Sequence, residues 1–194
     1  PANITIRRSL PSLLTVVTFI FMRNRLQNYS IFSKFAAAIL KILKMNVRSI
    51  TDHVKYCGVN DRSKALFENL WQMPFGVSYN SYMVRGSKAS ALIDGCEVAH
   101  DNDYSAHVLE ALEGTNPDFL VVNHVEPDHT GAVPMLHCLF PDMKIVGNAK
   151  TVDMLKGFYG LSDDCFVTVA DGESLSLGDI TLQFYLAPMV HWPE

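Results

Sequence analysis

The chain has 194 residues, enough for one domain or slightly more, and its 48% apolar, 19% charged and 10% aromatic content excludes a disordered or fibrous chain. A net charge of −4, from 16 basic and 20 acidic residues, gives no reason to expect a nucleic-acid partner. That average conceals a split: Pro1 to Arg48 holds eight Lys or Arg and no acid, whereas Ser49 to Glu194 holds the other eight bases and all twenty acids.

Leu13 to Met22 is an apolar run interrupted by Thr15 and Thr18 and closed by Arg23 and Arg25. It is too short to span a bilayer, which takes about 20 residues, and no small-residue cleavage site follows it, so an export signal is not expected. Ile31, Phe32, Phe35, Ala38, Ile39, Ile42 and Leu43 recur at helical spacing with Lys34, Lys41 and Lys44 between them, which predicts a cationic amphipathic helix. Two readings of residues 1–44 stay open. One is a membrane-surface anchor; the other, favoured, is an extension without a selected role, Met45 being a candidate initiator. Membrane contact is therefore not expected.

Further on, Val77 to Val84 and Ala89 to Asp94 are rich in β-formers on either side of a turn at Arg85 to Lys88, which reads as a hairpin. Asp101 or Asp103 caps a helix whose apolar positions Tyr104, Val108, Leu109 and Leu112 stop at Gly114. Asp118 to Asn123 is apolar on both faces, as a strand inside a covered sheet is. Helices are expected over Gly131 to Phe140 and Thr151 to Tyr159, and strands over Lys144 to Gly147, Cys165 to Ala170 and Ile180 to Leu186. Alternating strands and helices indicate an α/β or α+β chain with sheets covered by helices. Cys57, Cys96, Cys138 and Cys165 form no C-x-x-C pair, so they are taken as free thiols in a reducing cytoplasm.

Directly after the strand at Phe119 to Val122 comes His124-Val-Glu-Pro-Asp-His129, with four potential metal ligands in six residues. Polar groups at the carboxyl end of a sheet strand stand where such folds place their sites. Pro127 opposes a helix through the segment, and in an extended stretch His124, Glu126 and Asp128 share one face. Two carboxylates with one or two imidazoles and no thiolate favour iron or manganese over a closed zinc site. His191, just after the strand Ile180 to Leu186, is a further candidate ligand, with Trp192 and Pro193 as an apolar wall. His53, His100, His107 and His137 are read as structural or surface residues, and Tyr79, Asn80 and Tyr82 as packing or supporting ones.

From about Met45 to Glu194 these residues resemble the start of the metallo-β-lactamase-like domain of flavodiiron proteins, the A-type flavoproteins that include rubredoxin:oxygen oxidoreductase and flavorubredoxin. The matching pieces are Gly76-Val-Ser-Tyr-Asn-Ser-Tyr82, Ala91-Leu-Ile-Asp94, Val121-Val-Asn-His-Val-Glu-Pro-Asp-His-Thr-Gly131 and Pro188-Met-Val-His-Trp-Pro193. Hydrolases of the superfamily carry H-x-H-x-D-H, and this chain has Glu126 in place of the second His. The resemblance implies an αββα sandwich, of which residues 45–194 would be the N-terminal half or more. It implies His124, Glu126 and His191 on one iron and Asp128 on the other. His129 matches a position that binds iron in some members only.

It further implies a di-iron centre that reduces O2 to water, NO to N2O, or both. Electrons would come from a rubredoxin-like or other donor through FMN in a flavodoxin-like domain, within a head-to-tail homodimer. The family's bridging Asp, its final His and the flavodoxin-like domain are not in this sequence, so the chain reads as a fragment, inactive alone. The alternatives are a metal-dependent hydrolase of the metallo-β-lactamase superfamily, or a truncated non-catalytic product.

Overall fold

The computed structural model describes residues 47–189 and 191–194. The helix expected over Ile31 to Leu43, the role of residues 1–44 and the start of the second stretch at Met45 lie outside the described residues.

The strands and helices follow in order β1 Arg48–Ser49, β2 Val54–Tyr56, β3 Val59–Asp61, β4 Leu66–Phe67, β5 Trp71–Gln72, β6 Val77–Tyr79, β7 Tyr82–Arg85 and β8 Ser90–Ile93. After them come α1 Asp101–Leu112, β9 Phe119–Val121, α2 Pro127–Thr130, α3 Val133–Leu139, β10 Lys144–Gly147, α4 Ala149–Tyr159, β11 Phe166–Thr168, β12 Ser174–Ser176 and β13 Thr181–Gln183. Seven strands make one sheet in the order β1-β2-β7-β8-β9-β10-β11. Its first half is antiparallel, closed by the β7–β8 hairpin with Val84 opposite Ala91. From β8 onward neighbours run parallel, and each parallel step is bridged by at least one helix, the crossover such a pairing requires.

The central strands are apolar on both faces because both are covered. On one face Met83, Leu92, Leu120 and Ile145 pack with Tyr104, Val108, Ala111 and Leu112 of α1, Leu136 of α3 and Leu155 of α4. On the other, Val84, Ala91, Val121 and Val146 meet Leu175, Leu177, Leu182 and Phe184 from the β12–β13 hairpin and its flanks. A helical layer, a sheet and the first hairpin of a facing sheet thus stack in order, three of the four layers of an αββα sandwich. Full burial of a side chain such as Leu92, Leu120 or Ile145 contributes roughly 1.5–3 kcal/mol, and these strands fix the frame from which the loops project.

Local chemistry sets the helix ends. Asn148 caps α4 by accepting the Thr151 N–H at 2.9 Å, and Gly160, at φ 65°, ends it in the left-handed conformation that glycine takes without a Cβ penalty. At the end of α1 the Leu112 carbonyl is capped by the Arg85 guanidinium at 2.7 Å. The buried stripe of α1 is Tyr104, His107, Val108, Ala111 and Leu112. Leu109, expected on that face, is exposed, because the stripe turns toward β7 and the Gly58 carbonyl, which lies 2.9 Å from His107 Nδ1.

The run Val77 to Val84 is two strands, not one. It breaks at Asn80–Ser81, so β6 leaves the main sheet to pair with β3 while β7 stays within it. Ser81 at the break is fully buried, and its hydroxyl donates to the Asp94 carbonyl at 2.9 Å. Among the described residues the four cysteines are free, with Cys57, Cys96 and Cys165 buried and Cys138 exposed. No helix among them is long and apolar enough to cross a membrane.

Candidate metal centre

At the carboxyl ends of β8 and β9 the chain makes two tight loops that brace one another. Asp94, immediately after β8, has a positive φ of 52°. The hydroxyls of Ser81 and Tyr104 both donate to its carbonyl, at 2.9 and 3.0 Å. Its carboxylate accepts the backbone and side-chain N–H groups of Asn123 at 2.7 and 3.1 Å. The Gly95 N–H donates to the His129 carbonyl at 2.8 Å. Thr130, fully buried, ties the loop to itself by donating to the Val125 carbonyl at 2.8 Å. The segment from His124 to Thr130 is therefore held at both ends by partners elsewhere in the fold.

Within it, Glu126 is extended (φ −54°, ψ 144°) and buried, so His124 and Glu126 share a face as expected of alternate positions. The extended stretch ends there. Pro127 opens the one-turn helix α2 at its first position, where a proline's missing N–H costs nothing, so Asp128 leaves that face. It lies beside His129, with 3.6 Å between His129 Nε2 and Asp128 Oδ2. Among the described residues Asp128 Oδ1 is buried without a hydrogen-bond partner.

Opposite this loop, a turn at Met189 (φ 61°), closed by its N–H to the Trp192 carbonyl at 2.9 Å, presents His191. Nε2 of His124 and Nε2 of His191 both approach one oxygen, Glu126 Oε2, at 3.0 and 2.8 Å. The donor atoms of this trio all lie within 4.8 Å of one another. The Trp192 ring stands edge-on to His124 with centroids 5.5 Å apart, and His129 packs edge-on to the same imidazole at 5.0 Å.

Glu194 closes the back of the site. Its buried Oε1 accepts the Val125 backbone N–H at 2.7 Å and lies 2.7 Å from His124 Nδ1.

The charges follow from these contacts. Burial by itself raises the Glu126 carboxyl, yet hydrogen bonds from His191 and His124, with a smaller contribution from Glu68, bring it below its ordinary value. Burial raises Asp128 above its ordinary value against the opposing effect of His129. Asp94, 3.8 Å from His129 Nδ1, raises His129 against burial, with Asp128 adding to it.

Of the five residues expected to bind metal, the structure gathers His124, Glu126 and His191. Asp128 and His129 form an adjoining pair. Two imidazole nitrogens and one carboxylate oxygen are a donor set that suits ferrous iron with open positions, and the partnerless Asp128 oxygen beside it leaves an acceptor for a second cation, so the residues fit a metal. Sequence reasoning missed Asp94 and Glu194. Asp94 carried a weak signal as an acid closing a strand before Gly95, whereas nothing local distinguishes Glu194. A separate polar cluster joins Lys64, Tyr79 and Glu97, with Lys64 Nζ 2.9 Å from the Tyr79 hydroxyl. Burial and Glu97 together push that phenol up to about 12.

Residues 77–194 match the model of the ODP family beta lactamase. A type A flavoprotein from Rhodobacter capsulatus is 34% identical over 150 residues, covering 75% of this chain and 34% of that protein. A nitric oxide reductase from Moorella thermoacetica is 33% identical over 147 residues, covering 75% and 37%. Among solved structures, the rubredoxin oxygen:oxidoreductase of Desulfovibrio gigas superposes with a TM-score of 0.71 at 28% identity, covering 76% of this chain and 37% of that one. The chain thus spans about a third of the length of the curated relatives it matches.

Proposed function

Because the chain belongs to the ODP family, the metallo-β-lactamase-like part of flavodiiron proteins, we propose that it serves a flavodiiron oxidoreductase that reduces O2 to water, NO to N2O, or both. The observation that carries this is the convergence of His124 Nε2 and His191 Nε2 on Glu126 Oε2. In a hydrolase of the superfamily the middle position would be a third imidazole. A carboxylate there hardens the donor set and favours iron.

In this proposal His124, Glu126 and His191 hold one iron and Asp128 contributes to the second. His129, paired with Asp94, stands beside Asp128 as a further candidate ligand. Two irons, when bound, would supply the paired electrons that O2 or NO needs, with FMN elsewhere in the protein restoring them. Glu126 balances cationic charge from a site where burial weakens solvent screening. Trp192 limits water around His124. A rubredoxin-like donor and a head-to-tail homodimer belong to the same proposal, as does a cytoplasmic setting.

The test is metal analysis and gas consumption on the protein that carries this chain. About two irons per subunit, flavin bleaching by a reduced donor, and O2 or NO uptake are expected. Zinc alone, with neither gas consumed, overturns the proposal. Thioester or lactam turnover without flavin would establish the hydrolase instead.

A further inference from the structure

We infer that Glu194 is a positioning residue for His124, holding that imidazole in the ring orientation and tautomer that turn Nε2 toward the metal site. The inference rests on the proposed metal centre and extends it to a residue that binds no metal itself.

The geometry has three parts. Glu194 Oε1 accepts the Val125 backbone N–H at 2.7 Å, which anchors the carboxylate to the neighbour of the residue it serves. The same oxygen lies 2.7 Å from His124 Nδ1, so with one donor already on it, it is placed to take Nδ1–H as a second. The Glu194 side chain is 1% exposed, so water does not compete for either bond. With Nδ1–H held by Glu194, Nε2 is the ring nitrogen left on the side of the site, 3.0 Å from Glu126 Oε2, where a bound metal would take the place of the Nε2 proton.

Side-chain entropy would otherwise let the imidazole flip, at the cost of the productive orientation. A buried carboxylate on the far ring nitrogen removes that choice and increases the electron density at the ligating one. The arrangement also couples the two halves of the site. Glu194 lies three residues after His191, so the turn that delivers one imidazole also delivers the carboxylate that orients the other.

The experiment compares Glu194→Met, which fills the space but offers no carboxylate, with Glu194→Gln, whose amide oxygen can still accept both N–H groups. Fe(II) and Co(II) affinities are measured on the protein that carries this chain, with circular dichroism of each metal-free variant as the folding control. Proton NMR of the Co(II) form supplies the readout that a merely structural role would not move: the shifted, slowly exchanging Nδ1–H of His124. Glu194→Met is expected to weaken metal binding about 10–100-fold and to lose that signal, while Glu194→Gln retains the signal and most of the affinity.

Unchanged affinity and an unchanged N–H signal in Glu194→Met overturn the positioning role and leave the metal centre standing. Failure of the unsubstituted protein to bind Fe(II) or Co(II) overturns both. If Glu194→Met does not fold, Glu194→Gln decides: loss of the N–H signal in that variant, with the fold intact, also overturns the role.

Discussion

His191 Nε2 and Glu126 Oε2 stand 2.8 Å apart although sixty-five positions separate them in the chain. Neither local element determines this distance. Glu126 follows β9 inside the parallel half of the main sheet, whereas His191 lies in the turn after the β12–β13 hairpin on its opposite face. The site exists because the two layers pack.

Replacing His191 should therefore open the site without harming the fold, since its side chain is 62% exposed. His191→Ala is expected to change the stability of the metal-free protein by no more than about 0.5 kcal/mol. Iron affinity should fall by more than the roughly 10–100-fold that follows loss of an outer partner. Denaturant unfolding and competition with a chelator of known affinity measure the two quantities separately.

Glu126→His restores the H-x-H-x-D-H pattern of the hydrolases. With a third imidazole replacing a hard oxygen, the site should prefer zinc over iron in a direct competition. Plasma mass spectrometry of protein loaded with equal Fe(II) and Zn(II) gives the ratio, and an unshifted ratio would mean that Glu126 does not set the preference.

Gly131 has φ −55°, which any residue adopts, so its requirement is for space. A Cβ there would lie 2.6 Å from the Val98 backbone nitrogen and 2.8 Å from the Pro127 carbonyl oxygen. Gly131→Ala should destabilise by about 1–3 kcal/mol and displace α2 with Asp128 and His129. A lowered thermal midpoint together with weaker binding of the second metal equivalent is the expected result.

Asp61 gives the pH dependence. The Ser63 hydroxyl, outweighing the opposing effect of burial and aided by the Ser63 N–H and His100, lowers its carboxyl from 3.8 to about 2. A depressed folded pKa contributes stability that is complete above the unfolded value and is lost as pH falls from about 4 through about 2. The contribution is about 2 kcal/mol at most, since a tenfold change in proton affinity corresponds to about 1.4 kcal/mol. Urea midpoints measured between pH 2 and 5 should fall more steeply for the unsubstituted protein than for Asp61→Asn.

Sequence alone determined the elements whose cause is local. Lys144 to Gly147 is a strand because a short apolar run between turn residues has few alternatives, and α1 and α4 are legible from apolar spacing and from the glycines beyond them. The left-handed cap of α1 nevertheless falls on Glu113, one residue before Gly114, while that of α4 is Gly160 itself. The pairing of His124 with Glu126 was legible too, since alternation across an extended segment is backbone geometry.

Tertiary structure decided whatever depends on contacts between distant segments. Val77 to Val84 breaks because Ser81 is claimed by the Asp94 carbonyl, which no neighbour in the sequence announces. Pro127 starts a helical turn rather than preventing one, because the bonds at Gly95, Val125 and Thr130 hold that loop folded. Glu194 meets His124 only after the β12–β13 hairpin has docked against the sheet. Short-range sterics can be read residue by residue. The meeting of two loops depends on the packing of whole layers, and that is settled only when the core closes.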